Sequence, residues 1–282
     1  MTGRVLIVAG SDSGGGAGIQ ADVKTVTALA GFAATAITAL TAQNTLGVAA
    51  IHPVPAEFVA RQMEAVLTDI GADCVKTGML GEVPVVEAVA DTLERFAPAV
   101  PLVVDPVMIA KGGAALLADG ATGRLVARLA RRATLLTPNL PEAETLLGRA
   151  IPDRAAMERA ARDLLDLGPR AVLLKGGHLP EGEELVDLLA TATGTVAFAG
   201  SRLASRSTHG TGCTLASAIA CGLAQGMDLE PAVARARAYV RRAIETAPGL
   251  GGGHGPLNHA HTIPAPTSPV LTAPPPSGVA PA

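Results

Sequence analysis

Short runs rich in Val, Leu and Ile alternate along this chain with longer Ala-rich amphipathic stretches, and this alternation strongly restricts the fold. It is typical of a mostly parallel sheet covered by helices, so the predicted fold class is α/β. Strands are predicted at residues 5–9, 34–40, 49–54, 74–77, 102–105, 134–137, 171–175, 184–190 and 196–200. Helices are predicted at residues 17–30, 55–69, 83–97, 120–131, 140–147, 154–167, 214–225 and 229–246.

Several predicted strands end in a polar or glycine-containing turn. These turns are residues 10–16, 76–78, 105–106, 138–139 and 175–177. In an open parallel sheet, ligands bind outside the carboxyl ends of the strands. The sequence therefore predicts that its candidate site residues converge on one edge of the sheet.

The run 207–214, Ser-Thr-His-Gly-Thr-Gly-Cys-Thr, leads directly into a small apolar helix. Two glycines allow a ligand to approach the backbone, and the first-turn N–H groups with the helix dipole attract an anion, here expected to be a phosphate. Cys213 is expected to have a lowered thiol pKa and could remove a proton from a substrate hydroxyl. A glycine-rich helix cap with a buried cysteine is the alternative, and the run alone does not decide between the two.

Composition argues against several classes of function. A formal net charge of −3 and an aromatic content of 2% argue against nucleic-acid binding. The three cysteines lack metal-ligand spacing, which argues against a zinc site or a disulfide framework and favours a reducing compartment. No signal peptide is recognisable and no uninterrupted apolar stretch approaches about 18 residues, so a cytoplasmic protein without a membrane partner is expected.

The glycine-rich loop at residues 10–18 was compared with two nucleotide-binding sequence motifs and matches neither of them. Ile19 stands where G-x-G-x-x-G requires its third glycine, and no G-x-x-x-x-G-K-[ST] is present. Two interpretations remain open. The loop is either a tight strand-to-helix turn or the backbone wall of a small-molecule pocket that Asp22 faces.

Three charged residues near predicted strand ends are candidates for binding a magnesium nucleotide. Asp105 and Glu142 offer two carboxylates, which suits Mg²⁺ because this ion keeps several waters and takes few protein ligands. Lys175 leaves an apolar run and could hold a nucleotide phosphate. Each also has an ordinary structural explanation: a turn cap for Asp105, a solvated first-turn acid for Glu142 and a strand-end lysine for Lys175.

Three further side chains are candidates for contacting a small substrate. The Gln43 amide can donate to and accept from a heteroaromatic edge. Met79 could pack on a flat ring, although it could equally be a core residue. His209 is the one histidine within the run 207–214, and a catalytic role and an ordinary place in a polar loop are equally open.

Together these segments closely resemble the hydroxymethylpyrimidine kinase / phosphomethylpyrimidine kinase family of thiamine biosynthesis, within the ribokinase-like superfamily. The resemblance spans residues 4–261 and is carried by segments 9–22, 38–45, 76–80, 105–108, 137–143, 174–178 and 207–214. It implies a three-layer α/β/α sandwich, a homodimer, and the use of ATP and Mg²⁺. The implied substrates are 4-amino-5-hydroxymethyl-2-methylpyrimidine and then its monophosphate, which would become the pyrophosphate.

The resemblance also implies a role for individual residues. Gln43 would bind the pyrimidine edge, in a pocket that is also lined by Gly10, Asp22, Met79 and Val107. An anion hole would be formed by Gly210, Thr211, Gly212 and Cys213, with Cys213 as the base. Mg²⁺ would be bound by Asp105 and Glu142, and the nucleotide phosphates by Asn139, Lys175 and Thr208.

The chain departs from the family pattern in two places. Residues 110–115, in the flap after the Asp-Pro turn, lack the Ser and Asp that members often carry. Arg237 stands where a lysine is common, and the two cations differ in geometry. Beyond the kinase domain at residues 1–261, residues 262–282 are rich in Pro and Ala, which predicts a disordered tail.

Two other functions remain open from the sequence. Pyridoxal or pyridoxine kinases share this fold, but Gln43 and Met79 favour an aminopyrimidine. A catalytically silent pyrimidine-binding protein is the second alternative, and the intact Cys213, Glu142 and Lys175 argue against it.

Overall fold

The computed structural model describes residues 2–108, 116, 118, 120–177, 179 and 184–264. Its strands are β1 (Arg4–Ala9), β2 (Phe32–Ile37), β3 (Ala39–Asn44), β4 (Gly47–Pro53), β5 (Cys74–Thr77), β6 (Leu102–Val104), β7 (Leu135–Leu136), β8 (Ala171–Leu174), β9 (Glu184–Thr191) and β10 (Gly194–Ser201). Its α-helices are α1 (Gly18–Ala28), α2 (Ala56–Asp69), α3 (Val83–Phe96), α4 (Ala121–Arg128), α5 (Leu140–Leu147), α6 (Arg154–Asp163), α7 (Thr211–Ala224) and α8 (Leu229–Glu245).

Eight strands form one sheet in the order β10-β9-β8-β7-β6-β5-β1-β2. The pairs from β2 across to β8 are parallel, whereas β9 and β10 pair antiparallel at one edge. This confirms the predicted mostly parallel α/β sheet. The turns after β1, β5, β6, β7 and β8 therefore leave the same edge of the sheet, and strand order reverses at β1.

Both faces of the sheet are covered, which makes the fold a three-layer α/β/α sandwich. Along β1, Leu6 and Val8 pack into one core cluster, while Val5 and Ile7 pack into the other. This alternation follows from the two-residue period of a strand. Residues from α2 to α6 fill the first cluster, and residues from α1, α7 and α8 fill the second.

The single strand predicted at 34–40 is in fact two strands. At the junction, the Thr38 N–H donates to the carbonyl of Ala9 (3.1 Å), and its hydroxyl donates to the carbonyl of Met79 (2.6 Å). These bonds redirect the chain, so that β3 leaves the main sheet and pairs antiparallel with β4 in a separate two-stranded sheet. Gln43 lies on this small sheet.

The C-terminal part of the described chain packs against the domain. The Thr262 hydroxyl donates to the carbonyl of Ala28 (2.7 Å), one residue beyond the predicted domain boundary. Residues 265–282 of the predicted tail lie outside the described residues. Among the helices that the structure describes, none is both long and apolar enough to cross a bilayer.

Candidate active site

The first turn of α7 forms the centre of the site. The helix begins at Thr211, three residues earlier than predicted, so Gly212 and Cys213 lie inside its first turn, where N–H groups have no partner within the helix. Gly210 caps the turn with φ 83°, and a Cβ at this position would overlap the carbonyl oxygen of Gly16. Only glycine fits this backbone. The turn presents backbone donors suited to an anion.

A cluster of charged side chains faces this turn. The Lys175 Nζ lies 3.1 Å from Asp105 Oδ1 and 4.0 Å from Glu142 Oε2. A Cβ built on Gly212 would lie 3.3 Å from the same Nζ and 3.8 Å from Asp105 Oδ2. The absence of a side chain at Gly212 therefore leaves the helix start open to the ammonium and the carboxylate.

Glu142 is positioned by a reciprocal helix cap. Its backbone N–H donates to the Asn139 side-chain oxygen (2.9 Å), and its carboxylate accepts from the Asn139 N–H (2.8 Å). The alternative of a solvated first-turn acid is wrong, because Glu142 is only 7% exposed. The pKa of Glu142 is raised to about 7, because burial and the neighbouring Asp105 carboxylate outweigh the opposing effect of Lys175.

A cavity of about 570 Å³ opens beside this cluster. Its lining includes five residues predicted from the sequence, namely Asn139, Lys175, Thr208, Thr211 and Gly212. Farther along the wall, Arg237 donates to Asp187 (2.8 Å) and its guanidinium lies 5.6 Å from the centre of the Phe198 ring. The Arg237 departure is thus accommodated by an acidic partner and an aromatic face.

A second lysine lies out of reach of solvent. The Lys76 Nζ donates to Asp22 Oδ2 (2.8 Å), and the Ser217 hydroxyl donates to Asp22 Oδ1 (2.7 Å). Both charged side chains are 0% exposed. The Asp22 carboxylate is therefore the counter-ion of a buried ammonium, and its place in the substrate pocket stays a prediction.

The environment of Cys213 differs from the prediction. Burial raises the pKa of the Cys213 thiol to about 11, while Lys76 opposes this shift and the carboxylates of Asp22 and Asp105 reinforce it. The expected lowering of this pKa by the helix N-terminus is wrong, because desolvation outweighs the favourable charge and dipole. Burial also lowers the pKa of Lys76, yet the negative groups around it raise the net value above its usual range.

The predicted substrate-binding residues lie around the same helix start. Met79 packs against the backbone at Gly10, where a Cβ would come 3.0 Å from its sulfur. The Val107 N–H donates to the carbonyl of Asp105 (2.9 Å), which places it beside the charged cluster. The Gln43 amide nitrogen lies 3.4 Å from Nε2 of His209, the residue that precedes Gly210. The turn therefore has charged groups on one side and an amide on the other.

The glycine-rich loop is organised around Asp12. Its carboxylate accepts from the backbone N–H groups of Gly14 (2.8 Å), Gly16 (3.1 Å) and Ala17 (2.8 Å). His209 Nε2 lies 2.8 Å from the same carboxylate. These bonds fold the loop into the tight strand-to-helix turn of the first interpretation, and its role as the wall of a small-molecule pocket stays a prediction.

Asp12 and Lys76 were not predicted from the sequence to have a role, although the sequence contains a signal for each. Asp-x-Gly is typical of an Asx turn, in which the carboxylate bonds to the backbone two residues on. Lys76 lies in a four-residue strand that is buried throughout. A lysine at such a position requires an acidic partner, and the partner was Asp22 on α1.

The comparison with known proteins decides the family. A model of the phosphomethylpyrimidine kinase family matches residues 12–258. The chain belongs to the phosphomethylpyrimidine kinase family. The resemblance inferred from the sequence is thereby confirmed. Residues 110–115, where the chain departs from the family's flap, lie outside the described residues.

Individual relatives agree with the phosphomethylpyrimidine kinase assignment. The chain is 48% identical to the hydroxymethylpyrimidine/phosphomethylpyrimidine kinase of Rhizobium meliloti, over 93% of this chain and 98% of that one. It is 55% identical to the thiamine biosynthesis bifunctional protein ThiED of Geobacter sulfurreducens, over 91% of this chain. It spans only 52% of that longer protein.

Solved structures show the same fold. Phosphomethylpyrimidine kinase from Clostridium difficile is 40% identical and matches with a TM-score of 0.76, covering 86% of this chain and 99% of that one. Pyridoxal kinase from Staphylococcus aureus in complex with ADP is 33% identical with a TM-score of 0.85, covering 92% and 94%. Kinases named for two different substrates, phosphomethylpyrimidine and pyridoxal, are thus similar to this chain.

Proposed function

We propose that this chain is an ATP-dependent kinase that phosphorylates 4-amino-5-hydroxymethyl-2-methylpyrimidine and then its monophosphate in thiamine biosynthesis. The observation that carries the proposal is the first turn of α7, with Lys175, Asp105 and Glu142 on one side and Gln43 on the other. The names of the Rhizobium and Geobacter relatives support this substrate and this pathway. Phosphoryl transfer requires positioning and charge neutralisation, and this arrangement offers both.

The nucleotide would occupy the cavity beside Lys175. Asn139, Lys175 and Thr208 line it and would contact the phosphates. Asp105 and Glu142 would bind Mg²⁺, and two carboxylates suit an ion that keeps most of its waters. Within the described residues, no group of three or more His, Cys, Asp and Glu side chains forms a fuller metal site. The ion would neutralise charge on the phosphates of the nucleotide.

In the first transfer, the substrate hydroxyl oxygen forms a bond to the γ-phosphorus as the bond to the bridging oxygen breaks, and ADP leaves. In the second transfer, a phosphate oxygen of the monophosphate takes the place of the hydroxyl oxygen. Lys175 and the N–H groups of Thr211, Gly212 and Cys213 would stabilise the charge on the phosphoryl oxygens. The hydroxyl proton would pass to the sulfur of Cys213 in its thiolate form, which becomes the neutral thiol. Because burial disfavours the thiolate, the nearby Lys76 ammonium is the group that would favour it.

ADP release with magnesium ATP tests the proposal, using the hydroxymethylpyrimidine, its monophosphate and pyridoxal as acceptors. We expect both pyrimidines to be turned over faster than pyridoxal, and we expect Cys213→Ala to remove this activity. Cys221→Ala is the matched control, because this buried thiol lies farther along α7 and donates to the carbonyls of Val26 and Leu29. Equal activity of Cys213→Ala and Cys221→Ala would contradict the proposed base.

A pyridoxal kinase is the second candidate function. The observation that favours it is the TM-score of 0.85 to the Staphylococcus aureus enzyme. In the same assay, a higher kcat/KM for pyridoxal than for either pyrimidine would support this candidate instead. Binding of the pyrimidine without any ADP release would support a silent binding protein.

A homodimer in the cytoplasm completes the proposal. The two-stranded sheet of β3 and β4 exposes the large apolar side chains Leu40 and Ile51, and Leu46 between the strands is 74% exposed. Burying such a surface against a second copy is favourable. The three cysteines are free, as expected in a reducing compartment. Sedimentation should show a dimer that Ile51→Lys weakens; a wild-type monomer would contradict it.

A further inference from the structure

The Gln43 amide lies in a chain of polar contacts that runs from one loop to the next. Asp12 Oδ2 lies 2.8 Å from His209 Nε2, and the same ring nitrogen lies 3.4 Å from the amide nitrogen of Gln43. At its other end, the amide oxygen lies 3.1 Å from the Thr41 hydroxyl, which is 2.8 Å from the carbonyl of Ser11. Each member therefore limits which atoms of the next can donate.

The direction of the first bond follows from the charge of Asp12. Burial raises the pKa of this carboxyl, but hydrogen bonds from His209 and the backbone more than offset it and leave the pKa below its ordinary value. The ionised carboxylate can only accept, so His209 Nε2 carries a proton and donates it. This holds for the neutral ring and for the charged ring.

The direction of the second contact follows in turn. With a proton on His209 Nε2, an amide nitrogen facing it would place two hydrogen-bond donors opposite each other. Rotating the Gln43 amide by half a turn brings its oxygen to His209 and its nitrogen to Thr41, since O and N are nearly isosteric. Thr41 then accepts from Gln43 and donates to Ser11, and the single His209 Nε2–H is shared as a three-centre bond between Asp12 at 2.8 Å and the Gln43 oxygen at 3.4 Å.

We propose that Asp12 and His209 are specificity-determining positioning residues, which hold the Gln43 amide with its oxygen toward His209 and its nitrogen toward Thr41. The inference rests on the proposed function, in which Gln43 binds the substrate ring. The amide then offers an acceptor and a donor in a defined order. The complementary ligand edge is an exocyclic amine, which donates to the amide oxygen, next to a ring nitrogen, which accepts from the amide nitrogen.

This order also sets the direction in which the ring lies. The amine of 4-amino-5-hydroxymethyl-2-methylpyrimidine pairs with the amide oxygen, on the His209 side, and the hydroxymethyl group is on the adjacent ring carbon. The reacting hydroxyl is therefore directed toward Gly210 and the first turn of α7. With the amide reversed, the ring would bind in the opposite sense and direct its hydroxyl away. Pyridoxal has no amine beside its ring nitrogen and leaves the amide oxygen unpaired.

The variant His209→Leu tests this inference, because it keeps bulk against Gly16 and removes the N–H donor. We expect kcat/KM for the hydroxymethylpyrimidine to fall roughly 10- to 100-fold, mainly through KM. For 5-hydroxymethyl-2-methylpyrimidine, which lacks the amine, and for pyridoxal, we expect a change of less than about threefold. His209→Gln should restore the preference, because its amide can donate. His254→Leu, at an exposed histidine of the adjoining loop, is the control.

Calorimetric binding of the same three ligands separates failure of this inference from failure of the proposed function. An equal loss for all three ligands in His209→Leu would overturn the inference and leave His209 a structural residue. An unchanged preference for the amine-bearing ring would overturn it too. A wild-type protein that neither binds nor phosphorylates the hydroxymethylpyrimidine would overturn both proposals, since Gln43 would then have no such ring to orient.

Discussion

Two lysine–carboxylate pairs lie near the start of α7, and they differ in access rather than in chemistry. Lys76 and Asp22 are 2.8 Å apart and both are 0% exposed. Lys175 and Asp105 are 3.1 Å apart, but the lysine side chain is 14% exposed and lines the cavity. The sealed pair, Lys76 and Asp22, can therefore act only through its charge and its contribution to the fold, whereas the open pair, Lys175 and Asp105, can exchange partners with a ligand.

The partners of the two lysines reinforce this difference. Asp22 also accepts from Ser217, so both of its oxygens are occupied within the protein. Lys175 instead lies between two acids, with Glu142 at 4.0 Å. The pKa of Glu142, which burial raises to about 7, shows that one lysine does not fully compensate two buried carboxylates. A metal ion or a phosphate can change this balance; no ligand can reach the sealed pair.

The largest expected effect is on stability and concerns the sealed pair. Lys76→Met should lower the free energy of unfolding by about 3–5 kcal/mol, because it leaves the Asp22 carboxylate buried and unpaired. Urea denaturation measures the change, and Lys76→Met combined with Asp22→Leu should recover a large part of it. If Lys175→Met destabilised the protein just as much, the distinction between sealed and open pairs would fail.

The next effect is on activity and concerns the open pair. Lys175→Met should lower kcat roughly 10²- to 10³-fold, because a preorganised cation facing the transferred phosphoryl group is lost. Thermal unfolding should remain cooperative. Lys24→Met, at an exposed lysine on α1, is the matched control and should change kcat less than about threefold. Retention of full activity in Lys175→Met would remove Lys175 from the proposed mechanism.

Two glycines at the start of α7 differ in how well the backbone tolerates a side chain. Gly210→Ala should cost at least about 1–2 kcal/mol for the left-handed conformation, and more because its Cβ overlaps the Gly16 carbonyl. Gly212→Ala should leave the folded state nearly unchanged, since its Cβ meets the movable end of Lys175. Calorimetric melting compares the two variants, and equal melting temperatures would contradict this account of the turn.

A smaller effect concerns a third sealed group beneath α7. His259 Nε2 lies 2.9 Å from the Thr214 hydroxyl, and burial lowers the pKa of His259 to about 4, with Lys24 and His261 contributing. Its stabilising contribution is full above the unfolded pKa of about 6.5 and is lost as the pH falls toward 4. Between pH 7 and pH 5 the loss should be about 2 kcal/mol.

Urea midpoints at these two pH values check the contribution of His259. His259→Gln should show the smaller pH dependence, because it has no imidazole to protonate in the unfolded state. The exposed His254 provides the control variant His254→Gln, which should retain the dependence of the wild type. Identical curves for wild type and His259→Gln would show that His259 is not held neutral.

The sequence predicted the parallel layers closely and the small sheet poorly. β8 (Ala171–Leu174) was predicted to within one residue, because a short apolar run that ends in a polar turn is a local signal. The division at Thr38 could not be predicted, because it depends on acceptors at Ala9 and Met79. The start of α7 was placed too late for a related reason: Gly210 caps the helix in a conformation that requires the Gly16 backbone beside it.

The local sequence specifies which functional side chains lie at the edge of the sheet. Asp105, Asn139 and Lys175 follow buried strands, and parallel strands bring their carboxyl ends together wherever the helices pack. Only the tertiary structure decided what each group does there. It pairs Asp22 with Lys76, 54 residues away, and places Gln43 beside His209, 166 residues away. Burial and charge depend on everything packed around a group, and local sequence does not specify those neighbours.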